Sequence, residues 1–246
     1  LMEPTGSGIG GDLFAIIWHA KSQKLYGLNA SGRSPKSLTP EKLKAQLTQL
    51  ERDDIPPYGM LPISVPGTVD GWFEMHDKFG KMPMNDVLKP AISYANNGFP
   101  VSELIAYYWQ RSVPKLSLQP GSFKTTFTID GNAPRKGQIF KNPELANTLS
   151  LIAEQGRSAF YQGEIADKIA SFMKANGGYI SREDLISHNS TWVEPVSTNY
   201  RGFDVFELPP NGQGIAALQM LNILETYDLA AMGFLSEQAL HVMTEA

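Results

Sequence analysis

The run GSGIGG near the start of the chain places Gly6, Gly8 and Gly11 at the spacing G-x-G-x-x-G, which cradles pyrophosphate in dinucleotide-binding proteins. That chemistry needs a strand before the glycines and a helix after them, because the helix N-terminus supplies the amides that hold the phosphates. Here Gly11 is followed by FAIIWHA, a continuous β-branched and aromatic run that signals a strand. Pro4 suits no preceding strand. The first acid after Asp12 is Glu41, not one placed about 20 residues on to hold a ribose. The glycines are therefore read as backbone that passes close to another backbone or to a ligand, where a side chain would block the approach. No nucleotide is expected.

Other residues of chemical interest are scattered. His19, His76, His188 and His241 lie far apart and show no metal-ligand spacing, so no metal and no cofactor are expected. His76 falls on an apolar helical stripe, where a hydrogen-bonded core imidazole is the simpler reading. The adjacent acids Glu183 and Asp184 follow Ser181 in SREDL, a helix-start pattern rather than an acid–base pair. Asn211, Gly212 and Gly214 form a turn before a helix, and its amides are candidates to face a ligand.

The elements that must position these residues follow from periodicity. FAIIWHA reads as a strand covered on both faces, and KLYGLNA as its hairpin partner. A helix is expected from Pro40, capped by Thr39, with Leu43, Leu47 and Leu50 on one face. GTVDGWFEMHDKFG gives a stripe of Val69, Trp72, Phe73, His76 and Phe79 that stops at Gly80. PAISYANNG, NPELANTLSLIAEQG and GEIADKIASFMKANGG are further helices, the first opening on its proline and closing at Gly98, the last ending at Gly177. EPVSTNYRG and FDVFELPP form a second hairpin around Arg201-Gly202, and GIAALQMLNILETY is apolar nearly all round, which predicts burial. Strands, a helical middle over about 39–190, strands and a buried helix make an α+β order rather than a doubly wound sheet.

Composition narrows the partners. The 246 residues carry a net charge of −4, 42% hydrophobic and 19% charged residues, the profile of an ordinary globular protein. No cluster of Lys and Arg tracks phosphates, so nucleic acid is not an expected partner. The absence of cysteine removes disulfides and thiolate chemistry and leaves the compartment open, periplasmic or extracellular as much as cytoplasmic. Apolar runs are too short to span a bilayer. Both ends look cut: the chain opens on Leu1, and SEQALHVMTEA ends without a helix stop signal, so an upstream targeting segment is expected to be missing.

Several stretches in order, MEPTGSGIGGDLFAIIWHAKSQKLYGLNASGRSP, VPGTVDGW, PAISYANNGFPVS, PELANTLSLIAEQGRSAFYQGEIADKIA, GGYISREDL and YRGFDVFELPPNGQGIAALQMLNIL, resemble the large-chain region of the gamma-glutamyltransferase (glutathione hydrolase) family. The resemblance spans essentially all of 1–246, which is expected to be a large-chain fragment of a single domain. It implies the N-terminal-nucleophile hydrolase fold, a four-layer αββα sandwich of which this chain is the large-chain part. It further implies a self-cutting precursor and a small-chain partner whose N-terminal threonine attacks a γ-glutamyl amide such as glutathione. The acyl-enzyme then passes its acyl group to water, an amino acid or a peptide. No catalytic residue is expected in this chain, which alone is expected to be inactive.

By the same resemblance, Arg33 in NASGRSP matches the family arginine that grips the α-carboxylate of the γ-glutamyl group, a task suited to a planar guanidinium. The chain departs from the family pattern here, with Gly32-Arg33-Ser34-Pro35 where many members have arginine-glutamate-threonine-alanine-proline. It departs again at PPNGQG, where a proline- and serine-rich loop is common. These departures put the substrate in doubt and keep two alternatives open: a cephalosporin-acylase-like amidase of the same fold, or a catalytically inactive binding relative. Thr125 and Thr126 in KTTFTID resemble the start of a small chain, but landmarks continue long after them. They are read as an ordinary loop or short strand.

Overall fold

The computed structural model describes residues 1–246. In chain order, strands β1 (Leu13–His19) and β2 (Lys24–Ala30) precede helices α1 (Pro40–Gln49), α2 (Thr68–Phe79) and α3 (Met84–Asn97). Then come β3 (Phe99–Pro100), α4 (Glu103–Leu116), α5 (Phe123–Phe127), β4 (Ile139–Phe140), α6 (Pro143–Gln155), α7 (Arg157–Tyr161), α8 (Glu164–Ala175) and α9 (Arg182–Ile186). The chain closes with β5 (Thr191–Val193), β6 (Val196–Tyr200), β7 (Phe203–Glu207), α10 (Gly214–Leu224), α11 (Leu229–Met232) and α12 (Glu237–Glu245). No helix is long and apolar enough to cross a membrane. The chain divides into two compact units, Leu1–Asp12 with Ser31–Asn189, and Leu13–Ala30 with Ser190–Ala246.

The first unit is helical. Its main core joins Val65, Val69, Leu88, Ile152, Phe160, Tyr161, Met173 and Leu185, so the segment entering α2 is built into the packed interior. A second cluster gathers Phe99, Val101, Ile105, Trp109 and Phe140 around the short β3–β4 pair. Local chemistry sets the helix starts. Thr39 accepts from the Lys42 N–H, Asn142 from the Leu145 N–H, and Ser181 and Asp184 form a complete capping box. The helix expected to open at Pro90 begins instead at Met84 and carries Pro90 inside it. Pro90 is the seventh of the fourteen residues, so the bond back to the Asp86 carbonyl is lost in mid-helix.

Thr125 and Thr126 of KTTFTID lie in neither loop nor strand. Phe123–Phe127 forms one helical turn, its two phenyl rings stacked 5.6 Å apart across that turn. Thr125 Oγ1 donates to the Ser122 carbonyl at 3.0 Å and Thr128 Oγ1 to the Lys124 carbonyl, so short-range side-chain bonds outweigh the β preference of threonine.

In the second unit, β1, β2 and β5 form an antiparallel sheet with β2 central, pairing Leu13 with Ala30 and Gly27 with Val193. β6 and β7 form the expected hairpin, its turn Arg201-Gly202 having φ of 53° and 87°. That left-handed pair matches the twist of the strands. Two expectations fail in this unit. β1 is not covered on both faces: Phe14, Ile16 and Trp18 alternate outward, Trp18 60% exposed. α10 is not buried all round either, since only Leu218 is buried while Ile215, Met220 and Ile223 are exposed. Apolar composition marks what these surfaces seek, yet within this unit both stay partly exposed.

Candidate functional site

Arg33 lies three residues beyond the end of β2, on the first unit, with an exposed side chain. It takes part in none of the ion pairs of the chain. The backbone around it, by contrast, is held on both sides. Asp12 accepts from Ser31 Oγ at 3.1 Å and from the Gly32 N–H at 3.0 Å, one carboxylate oxygen each. The Arg33 carbonyl accepts from the Val65 N–H at 3.1 Å. Pro35 is buried, and the Lys36 N–H donates to Asp184 at 3.0 Å. Gly32 packs so tightly that a Cβ would lie 1.5 Å from the Val65 carbonyl oxygen.

The backbone approach expected of the glycine run is made at one residue, Gly11. Gly6, Gly8 and Gly10 approach no backbone closely, and a Cβ at Gly8 or Gly10 would meet open space. The approach that excludes side chains is at Gly32. What the run delivers is the Gly11 carbonyl, which accepts from the N–H groups of Gly67 and Thr68 at 3.0 Å each and from Thr68 Oγ1 at 2.8 Å. Thr68 Oγ1 also lies 3.0 Å from the Asp12 carbonyl. These amides open α2, so a carbonyl occupies the helix-N-terminal position in which a phosphate would sit.

Beneath this frame is a buried cluster that spacing did not reveal. Asp70, in the first turn of α2 and 1% exposed, pairs with Arg157 of α7, whose other nitrogen donates to the His188 carbonyl. The Tyr161 hydroxyl accepts from the Asp70 N–H at 3.0 Å and donates to the Pro66 carbonyl at 2.8 Å. The His188 ring stacks on Tyr161 at 5.4 Å, and the Arg157 guanidinium lies 4.6 Å from the Tyr161 ring centre. His188 Nε2 is buried without a hydrogen-bond partner, 3.7 Å from Asp70. Burial holds its pKa below the ordinary histidine value. Asp70 opposes this, Arg157 reinforces it, and Asp12 and Arg33 add smaller contributions of opposite sign. Burial likewise raises the Tyr161 hydroxyl well above its usual range. Residues 65–70 are thus pinned to the core from below and hold the Arg33 segment from above.

Asp184 shows how the capping box serves the same frame. Burial works to raise its pKa, yet the N–H groups of Lys36 and Ser181 and the Ser181 hydroxyl prevail, and the carboxyl lies below the ordinary aspartate value. Its oxygens therefore cap α9 and fix Lys36 together.

On the second unit, Asn211 is exposed and its Oδ1 accepts from Asn29 Nδ2 on β2 at 2.8 Å, which ties the PPNGQG loop to that strand. Gly212 is exposed with open space around it. Gly214 begins α10, and a Cβ there would meet Glu207 at 2.7 Å, so close packing already accounts for this glycine. His76 Nε2 bonds the Met82 carbonyl at 2.6 Å. No group of three or more acids and histidines is arranged to hold a metal.

A family profile described as Gamma-glutamyltranspeptidase matches residues 1–246. The chain belongs to the gamma-glutamyltranspeptidase family. It is 40% identical over 247 residues to a glutathione hydrolase-like YwrD proenzyme of Bacillus subtilis, covering 100% of this chain and 46% of that protein. Among solved structures it is similar to a cephalosporin acylase from Bacillus halodurans, with a TM-score of 0.89 and 39% identity over 98% of this chain and 45% of the other. It is equally similar in shape to the Helicobacter pylori gamma-glutamyltranspeptidase, with a TM-score of 0.89 and 32% identity over 99% of this chain and 70% of that one. The fold is that of the N-terminal-nucleophile hydrolases, as the family resemblance implied. The chain spans about half the length of the curated relative with 46% coverage.

Proposed function

We propose that this chain is the donor-anchoring part of an enzyme that hydrolyses or transfers the γ-glutamyl group of glutathione and related amides. The observation that carries the reading is Arg33: a guanidinium with no internal carboxylate, exposed on backbone fixed by Asp12, Val65 and Asp184. Such a group, immobile at its root and unsatisfied at its tip, is prepared to take a substrate carboxylate through two parallel hydrogen bonds. Asn211 and Gly212, exposed in the PPNGQG loop, are the further candidates for substrate contact.

In this reading the nucleophile is a threonine at the start of a small chain cut from the same precursor. Its hydroxyl adds to the γ-carbonyl while its own α-amino group takes the proton, and collapse expels the amine with that proton. Water, an amino acid or a peptide then attacks the ester and regenerates the threonine. The uncovered apolar faces of β1 and α10 support a companion chain packing there, because contiguous exposed apolar surface of this kind marks an interaction site.

A second reading keeps the same machinery with a different acyl group. The likeness to the cephalosporin acylase and the Gly32-Arg33-Ser34-Pro35 string favour it. Turnover of γ-glutamyl 4-nitroanilide against glutaryl and adipyl 4-nitroanilides by the full-length protein separates the two. The γ-glutamyl reading expects kcat/KM at least about tenfold higher for the first substrate, a difference of one charge-assisted contact. A preference for the glutaryl or adipyl amide would replace it with the acylase reading.

A further inference from the structure

We infer that Asp12 is a positioning residue for γ-glutamyl donors, holding the Arg33 backbone in the geometry that receives an α-carboxylate. The inference rests on Arg33 as the carboxylate anchor and adds to it the residue through which the anchor is set.

Asp12 stands where the glycine run ends, immediately before β1. Its carbonyl and that of Gly11 are docked onto Thr68 at the start of α2, and α2 is fixed to the core by Val69 and by the Asp70–Arg157 pair. The base of Asp12 is therefore rigid. Its carboxylate reaches the two residues that immediately precede Arg33, taking the Ser31 hydroxyl with one oxygen and the Gly32 N–H with the other. A carboxylate that accepts two donors in this way fixes two successive residues at once, and both bonds are strengthened by its charge. Gly32 completes the arrangement, because its missing Cβ lets the chain lie against the Val65 carbonyl. The next bond outward belongs to Arg33 itself, from its carbonyl to the Val65 N–H.

Loss of the Asp12 carboxylate releases the backbone under Arg33 without touching the guanidinium. The cost then falls on substrates that use the guanidinium and on no others. Steady-state kinetics of the full-length enzyme test this with two donors: γ-glutamyl 4-nitroanilide, and 4-aminobutyryl 4-nitroanilide, which lacks only the α-carboxylate. Asp12→Ala is expected to raise KM for the first about 3- to 10-fold with kcat nearly unchanged, and to leave the second unaffected. Asp12→Asn, which keeps an oxygen for the Gly32 N–H, should recover most of the loss and also serves if the alanine variant folds poorly. Arg33→Ala with Asp12→Ala should be no worse than Arg33→Ala alone.

An Asp12→Ala enzyme with an unchanged KM, beside an Arg33→Ala enzyme with a raised one, would overturn the positioning role alone. Equal losses on both donors would also overturn it, by making Asp12 a general structural residue. If Arg33→Ala itself leaves KM unchanged, the anchor reading fails, and the inference fails with it in a recognisably different way.

Discussion

His188 is the residue whose surroundings yield the sharpest solution behaviour. Its ring is buried on Tyr161, its Nε2 lacks a partner, and burial depresses its pKa below the unfolded value of about 6.5. Above that pH both folded and unfolded chains carry it neutral. As pH falls below it, the unfolded chain binds the proton and the folded chain resists, so stability declines until the folded pKa is passed. Thermal melts between pH 7.5 and 5.5 should show a falling Tm that His188→Gln flattens; an equal slope in both proteins would remove His188 as the cause. Asp184 acts in the same direction but at much lower pH, its depressed pKa making stability decline as the pH falls through the ordinary aspartate value toward the folded one. Neither effect was visible in the sequence, because the pairing of His188 with residues 70, 157 and 161 is tertiary.

At the level of elements, α2 carries the frame. Thr68 opens it and donates to carbonyls 56 and 57 residues away in sequence, joining the glycine segment to the helix start. Thr68→Val keeps the shape and removes the donor, which should destabilise the protein by about 1 kcal/mol in denaturant titration; no change in midpoint would mean that the two backbone bonds from Gly67 and Thr68 to Gly11 suffice. Much of this level was legible. Helix α1 and its Thr39 cap, the end of α2 at Gly80, the Ser181–Asp184 box and the Arg201-Gly202 turn all depend on residues within one turn of each other. The strand expected after the glycine run is present as β1, but the service of the run in this fold, presenting the Gly11 carbonyl to α2, depends on a distant partner. KTTFTID was misjudged for a related reason: threonine favours strands on average, while here Ser122 and Lys124 gather the hydroxyls into a turn. Burial of β1 and α10 was misjudged because apolar pattern reports what a surface seeks, not which chain supplies the cover.

At the scale of the whole molecule, those two surfaces explain why a chain with an ordered core displays Phe14, Ile16 and Trp18 in a row. The fold is shared with relatives about twice as long, and under the proposed function a companion chain that contributes the nucleophile covers the apolar strand face. Trp18→Glu should leave the helical content and melting of residues 1–246 unchanged while lowering the yield of active full-length enzyme several-fold, since an interface core excludes charge. A variant as active as the parent would show that this face stays open to water.

Arg33 decides the account. The measurement is KM of the full-length enzyme for γ-glutamyl 4-nitroanilide with Arg33 intact and with Arg33→Lys, at constant pH and salt. Lysine keeps the charge and loses the two-pronged geometry, so KM is expected to rise about tenfold or more. An Arg33→Lys enzyme with the parent KM would contradict the central claim.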